Sequence, residues 1–291
     1  MGQLHVLLLG LLSAPLSLSA QLRSGVTDTC ERRLRTQLEA ARTGDTTFHL
    51  SLSGDGGVRL YYFGARHTYD STDAQLPEIE AMWHDLRPTV AFFEGTGAFT
   101  GPTRGTSVAR SAEPGLVRYL ARRDSIPARS LEPAAADEAH YLLSLFSAEQ
   151  VVLFYVSRPL TQYRDGARIG GRPFGRAALD SVLPRLLTQV QATTELAGAV
   201  PDTAAYRAVF TRWFPGLDPL DTPSPWFNPE RTSEETGSKF FNDVNRASSA
   251  YRDLHMYRLL VSAWKPNARI IAVVGRAHIP AQAPALACAL Q

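Results

Sequence analysis

Tyr61-Tyr62-Phe63-Gly64-Ala65-Arg66-His67-Thr68-Tyr69-Asp70 runs from an aromatic strand through a glycine turn into a histidine. Near the other end, Ile270-Ile271-Ala272-Val273-Val274-Gly275-Arg276-Ala277-His278 repeats the pattern: an apolar strand, a glycine, and a histidine three residues later. Glycine lets a chain turn sharply as it leaves a sheet. Each histidine is therefore expected to point into the crevice at the carboxyl ends of the strands, where open α/β sheets bind ligands.

The sequence between the two turns supplies the rest of such a sheet. Asp28 with Glu31 reads as the N-cap and third residue of a first helix running to Arg42 and ended by Gly44. Phe48, Leu50 and Leu52 alternate with polar residues, Gly54-Asp55-Gly56-Gly57 turns, and Val58–Phe63 returns as the strand carrying His67. Leu76, Ile79, Trp83 and Leu86 recur at helical spacing until Pro88, after which the buried strand Thr89–Phe93 delivers Glu94 and Gly95. A strand, a helix and a continuously apolar strand make the pattern of a parallel βαβ unit.

Residues 95–105 read as loop, a helix is expected at Leu116–Arg123, and a short strand over Pro127–Leu131 delivers Glu132. From Ala134 to Leu196 the sequence is mostly helical, with breaks at Pro159 and Gly170-Gly171. Residues 215–233, with five prolines plus Trp226 and Phe227, are too long and irregular for a plain connector and are expected to form a wall or lid. A last long helix, Lys239–Trp264, leads to the strand ending at Gly275. The expected fold is α/β, with a central mixed, mostly parallel sheet flanked by helices and a helical insertion at about 134–235.

The chain has 291 residues, 44% hydrophobic and 20% charged, which suits a globular domain at residues 21–291. The 30 basic residues are interspersed with 28 acidic ones, so no electrostatic footprint for DNA or RNA exists and no nucleic-acid partner is expected. Residues 1–20 read as a signal peptide: Val6–Leu18 is apolar, Ser17-Leu18-Ser19 offers small residues to the peptidase, and cleavage follows Ser19 or Ala20. The competing reading, a membrane anchor, is opposed by Pro15 and by a run well short of the ~20 residues a span needs. The expectation is a secreted or periplasmic protein with no stable membrane insertion after processing. In that setting Cys30 and Cys288 read as a disulfide joining the two ends of the fold, against the alternative of two buried thiols.

Four strand ends thus deliver His67, Glu94, Glu132 and His278. The long helix adds Arg252 and Asp253, with Met256, Leu259 and Leu260 turning Arg252 inward. A buried guanidinium needs a carboxylate, and Glu94 and Glu132 are available. A plain surface pair is the competing reading for Arg252 and Asp253. His67, Glu94 and His278 form a candidate set for a divalent metal such as manganese, cobalt or zinc. Without metal, a histidine beside a carboxylate can deprotonate water while an arginine stabilises the oxyanion. Either route is hydrolysis of a peptide or other small-molecule substrate, whereas the same histidines would also suit haem. His49, His84, His140 and His255 follow no such turn and read as surface or packing residues.

Taken in order, Gly64-Ala65-Arg66-His67, Phe93-Glu94-Gly95, Leu131-Glu132-Pro133, Arg252-Asp253-x-x-Met256 and Gly275-Arg276-Ala277-His278 resemble the TraB/GumN/Tiki superfamily. The set is also similar to the related erythromycin-esterase and ChaN-like proteins. The resemblance implies an α/β core of two related halves, each contributing one Gly-x-x-His. It implies a hydrolase in which His67, Glu94, Glu132, Arg252 and His278 are catalytic, metal-dependent as in Tiki or using histidine and glutamate as in the esterases. The ChaN-like branch implies a haem-binding protein without turnover. Asp253 departs from the Arg-Asn pair usual in TraB-like members and lies closer to the esterase pattern.

The leader reading gives a direct expectation. Intact mass of the exported protein should correspond to a start near Ala20 or Gln21, and a retained Met1 would refute it.

Overall fold

The computed structural model describes residues 29–97, 99–166, 171–193 and 195–290. The expected leader and the Asp28 cap lie outside them. A short 3-10 turn, Glu31–Arg33, precedes helix α1 (Gln37–Arg42). Strands β1 (His49–Ser53) and β2 (Arg59–Ala65) form an antiparallel hairpin, and helix α2 (Gln75–Leu86) leads to β3 (Val90–Phe93). Helix α3 (Arg104–Arg123) and strand β4 (Ala128–Ser130) follow. Helices α4 (Ala135–Leu143), α5 (Ala148–Arg164), α6 (Arg176–Thr193), α7 (Thr203–Trp213) and α8 (Ser233–Thr236) then intervene before α9 (Phe241–Ala263), β5 (Arg269–Gly275) and α10 (His278–Ala289).

The sheet is α/β and mixed, in the order β1-β2-β5-β3-β4, and every pairing except the β1–β2 hairpin is parallel. The last strand therefore lies between β2 and β3 instead of leaving them as neighbours. β5 pairs Ala65 with Gly275 on one side and Phe93 with Val273 on the other. Burial on both faces explains its unbroken apolar run. Leu60, Tyr62, Ile270, Ala272 and Val274 pack under α9 and α10 with Met256, Tyr257, Leu260 and Ile279. Phe63, Ala91, Phe93, Ile271 and Val273 pack with Leu76, Ile79 and Trp83 of α2 and Leu116 and Leu120 of α3. The carboxyl ends of β2, β3, β4 and β5 consequently share one edge. The helices between β4 and α9 build a separate core around Phe154, Leu183, Tyr206 and Phe210, to which Phe241 and Val244 of α9 also belong.

Three local expectations are corrected. The first helix is split: Leu34 and Arg35 lie outside helical structure, and Thr36 caps α1 through a reciprocal bond pair with Glu39. Pro159 does not break its helix, because the apolar face of α5, from Val151 to Leu160, is buried and holds the turn despite the lost N–H. α3 starts at Arg104, far ahead of Leu116, and is kinked at Ser111 and Ala112, where Ala112 has φ 51° and ψ −146°.

Cys30 and Cys288 stand at disulfide distance, with Cα atoms 5.4 Å apart. This junction, with Arg35 N–H donating to Ala281 O (3.0 Å) and Arg258 gripping Glu31 (2.7 and 2.9 Å), lays the amino-terminal segment against α9 and α10. Among the described residues no helix is long and apolar enough to cross a membrane. Replacing both cysteines with serine should lower unfolding free energy by about 2–4 kcal/mol in urea titrations, and an unchanged midpoint would mean that the sulfurs are not bonded.

Candidate functional site

The two motif glycines act by closeness more than by turning. Neither Gly64 nor Gly275 has a positive φ. A Cβ on Gly64 would lie 2.7 Å from Phe48 O and 2.8 Å from Arg276 Cα, and one on Gly275 would lie 2.8 Å from His67 Nε2 and 3.1 Å from Glu94 Oε2. Bare backbone at Gly275 is what admits the imidazole and the carboxylate. Its N–H also donates to Glu94 Oε2 at 2.5 Å.

Strand alternation aims Glu94, next after Phe93, at α9. There Arg252 donates from Nη2 to Glu94 Oε1 (2.6 Å) and, through Nε and Nη2, to both oxygens of Glu132 (2.7 and 2.6 Å). Gly95 N–H donates to Glu132 Oε1 as well (3.1 Å). Arg252 is 6% exposed, so the surface-pair reading does not hold. Burial opposes ionisation of all three groups; the His278 and Arg252 charges override it for Glu94, the Arg252 charge for Glu132, and the two carboxylates for Arg252. Arg252 is held well above its ordinary pKa, Glu94 well below and Glu132 below the usual carboxylate range.

His278 occupies the first turn of α10 and is buried. Its Nδ1 is 2.7 Å from Asp253 Oδ1, and its Nε2 is 3.5 Å from Glu94 Oε1. Gln282 Nε2 donates to Asp253 Oδ1 (2.6 Å), and Gln37, reaching over from α1, lies 3.2 Å from His278 Nδ1. Burial alone, like the positive end of a helix, would disfavour the imidazolium. The charges of Asp253 and Glu94 prevail, and the His278 pKa is raised to about 10.

His67 has φ 27°, a left-handed conformation that a non-glycine residue holds only under constraint. The constraint comes from Glu113, completely buried at the kink of α3. Glu113 accepts from Thr68 N–H (2.6 Å) and Gln75 Nε2 (3.0 Å), and its Oε2 is 3.4 Å from His67 Nδ1. The opposite nitrogen, His67 Nε2, faces Glu94 Oε2 at 3.8 Å and the open cleft. Partial shielding from water lowers the His67 pKa, although the side chain stays 54% exposed, and the Glu113 hydrogen bond and the Glu94 charge outweigh it, so the net shift is upward.

The five side chains singled out from sequence thus meet around Glu94. Glu113, Asp253, Gln37 and Gln282 are further members, of which only Asp253 had a signal, its place beside Arg252. His49, His84 and His140 are exposed and His255 is half-buried on α9. A cleft of about 540 Å³ opens over the cluster, with Phe227, Asn228 and Pro229 from the proline-rich segment as one wall. A second pocket of about 420 Å³, between β1 and α2 and lined by His49, Tyr61 and Met82, is reached by none of these groups.

The donor set does not fit the expected metal triad. Both Glu94 oxygens already accept from Arg252 and Gly275, and the Arg252 guanidinium lies where a cation would need to approach. Among the described residues no group of three or more His, Cys, Asp or Glu is arranged to hold a metal ion. His278 offers no free ring nitrogen to haem either, since its Nδ1 is taken by Asp253 and its Nε2 faces Glu94. Compared with known protein families, curated proteins and solved structures, the chain matches none.

Arg252→Met should cost about 3–5 kcal/mol, because it strands two buried carboxylates; a loss under 1 kcal/mol in denaturant titrations would contradict the buried network. For His278, a folded pKa above the ordinary 6.5 contributes stability that is complete below pH 6.5 and disappears as pH rises through about 10. Unfolding free energy should therefore fall across that alkaline window, and the fall should be shallower in Asp253→Asn.

Proposed function

We propose that this chain is an exported hydrolase of the TraB/GumN/Tiki and erythromycin-esterase type, acting on a peptide or ester bond without a metal. The observation that carries the reading is the His67–Glu113 pair, with Nε2 aimed past Glu94 into the cleft. Export rests on the leader sequence and on the Cys30–Cys288 pair at disulfide distance.

In this reading a water sits between His67 Nε2 and Glu94. His67 is the general base, its ring fixed by Glu113. Glu94, stabilised as a weakly basic anion by His278 and Arg252, positions the water. As the proton passes to His67, the oxygen attacks the substrate carbonyl and a tetrahedral oxyanion forms in the cleft. Collapse of the tetrahedral adduct breaks the bond to the leaving group. The proton held on His67 goes to the departing oxygen or nitrogen, which restores the base.

Activity should survive a chelator in an assay against esters, lactones and peptides. His67→Ala and His278→Ala should each cost about 10²–10⁴-fold in kcat, and the double variant little more than either, since groups acting as a unit are non-additive. Full activity in a double variant whose fold is verified by circular dichroism would refute the proposal. Glu113→Gln removes an interaction that raises the His67 pKa, so the acid limb of the pH–rate profile should move to lower pH while the plateau falls.

A further inference from the structure

We infer that the cleft selects substrates carrying an anionic group, a carboxylate or a phosphate, next to an N–H donor, with Arg66 and Arg276 as the anion subsite and Asn245 as the N–H acceptor. This rests on the hydrolase reading for its chemistry, though not for its binding.

Each of the two Gly-x-x-His turns carries one of the arginines between its glycine and its histidine. Arg276 N–H donates to Ala65 O at 2.9 Å, so the two turns run side by side and both arginines line the cleft within a residue or two of the histidines. Both are exposed. Arg66 has only a loose pairing, 3.5 Å to Asp73. Among the described residues Arg276 has no carboxylate within ion-pair distance, and its guanidinium lies over the Phe48 ring at 5.5 Å. Arg252, by contrast, is neutralised by Glu94 and Glu132. The lining as a whole holds four arginines, counting Arg158, against two glutamates, Glu94 and Glu230.

A second, independent observation points to a ligand. Asn245 of α9 lines the same cleft at 1% exposure, and its Oδ1 is a buried acceptor without a hydrogen-bond partner. Its orientation is fixed by the other end of the amide, because Nδ2 donates to Phe227 O at 2.5 Å, which a flipped amide would not allow. A buried acceptor left unmet is costly. A substrate N–H satisfies it, while the carboxylate or phosphate takes the guanidiniums that protein carboxylates leave open.

The test measures binding and turnover of N-acetyl-alanyl-alanine, its carboxamide and the matching phosphonate by the full-length mature protein. A charge-assisted hydrogen bond contributes about tenfold or more in affinity, so both anions should bind about 10–100-fold more tightly than the carboxamide, less so at high salt. Their relative affinity distinguishes a carboxylate from a phosphate site. In R66Q/R276Q the anion-to-amide ratio should fall to near unity, and in R276E below it, whereas the remote surface change R185Q should leave the ratio as it is. N245L should weaken all three ligands about tenfold while keeping the ratio. Anion preference without turnover would retain the subsite and reject the hydrolase. Turnover without anion preference, or no binding of any of the three ligands, would overturn the subsite.

Discussion

The Arg252 guanidinium, buried between Glu94 and Glu132, is the interaction on which the rest of the site depends. It joins the ends of β3 and β4 to the middle of α9, so the sheet and the long helix that leads back into it cannot shift independently. A charge removed from water is tolerable only when its partners occupy its donors. Here two carboxylates and a planar fork do so in one geometry, which lysine could not reproduce. Glu94, held as an anion by His278 and Arg252, in turn adds to the upward shift that Asp253 gives His278 and Glu113 gives His67.

Glu94 accordingly stands between two imidazoles with different surroundings. His278 is sealed against Asp253, Gln282 and Gln37 and is held as a cation. His67 faces the cleft, strained in backbone and braced by Glu113. Both rings are shifted upward, but one is buried and committed to charge while the other is exposed at the cleft. The helical region between β4 and α9 adds a wall, and the amino-terminal segment, pinned near Cys288, supplies Gln37.

The strands, most of the helices and the strand-terminal polar residues were legible because local chemistry writes them plainly: continuous apolar runs for buried parallel strands, helical spacing for α2, glycines before histidines. Glu113 was not legible. It lies where Ser111 and Ala112 leave helical geometry and Pro114 follows, a pattern that reads locally as loop, and nothing in its neighbours announces a residue that will be wholly buried beside His67. The role of the glycines is non-local for a related reason. Their absent side chains answer to atoms more than a hundred residues away, such as His67 against Gly275.

By itself the sequence determined the α/β class, which residues end the strands, and the chemical types available at that edge, since periodicity and composition are local properties of the chain. Only the tertiary structure decided that β5 inserts between β2 and β3, that Asp253 serves His278, that Glu113 braces His67, and that Glu94 spends both oxygens on Arg252 and Gly275. Those outcomes depend on which groups, distant in the chain, compete for the same few ångströms. Burial makes every unpaired donor or acceptor there costly, so the packing of the whole domain settles the pairing.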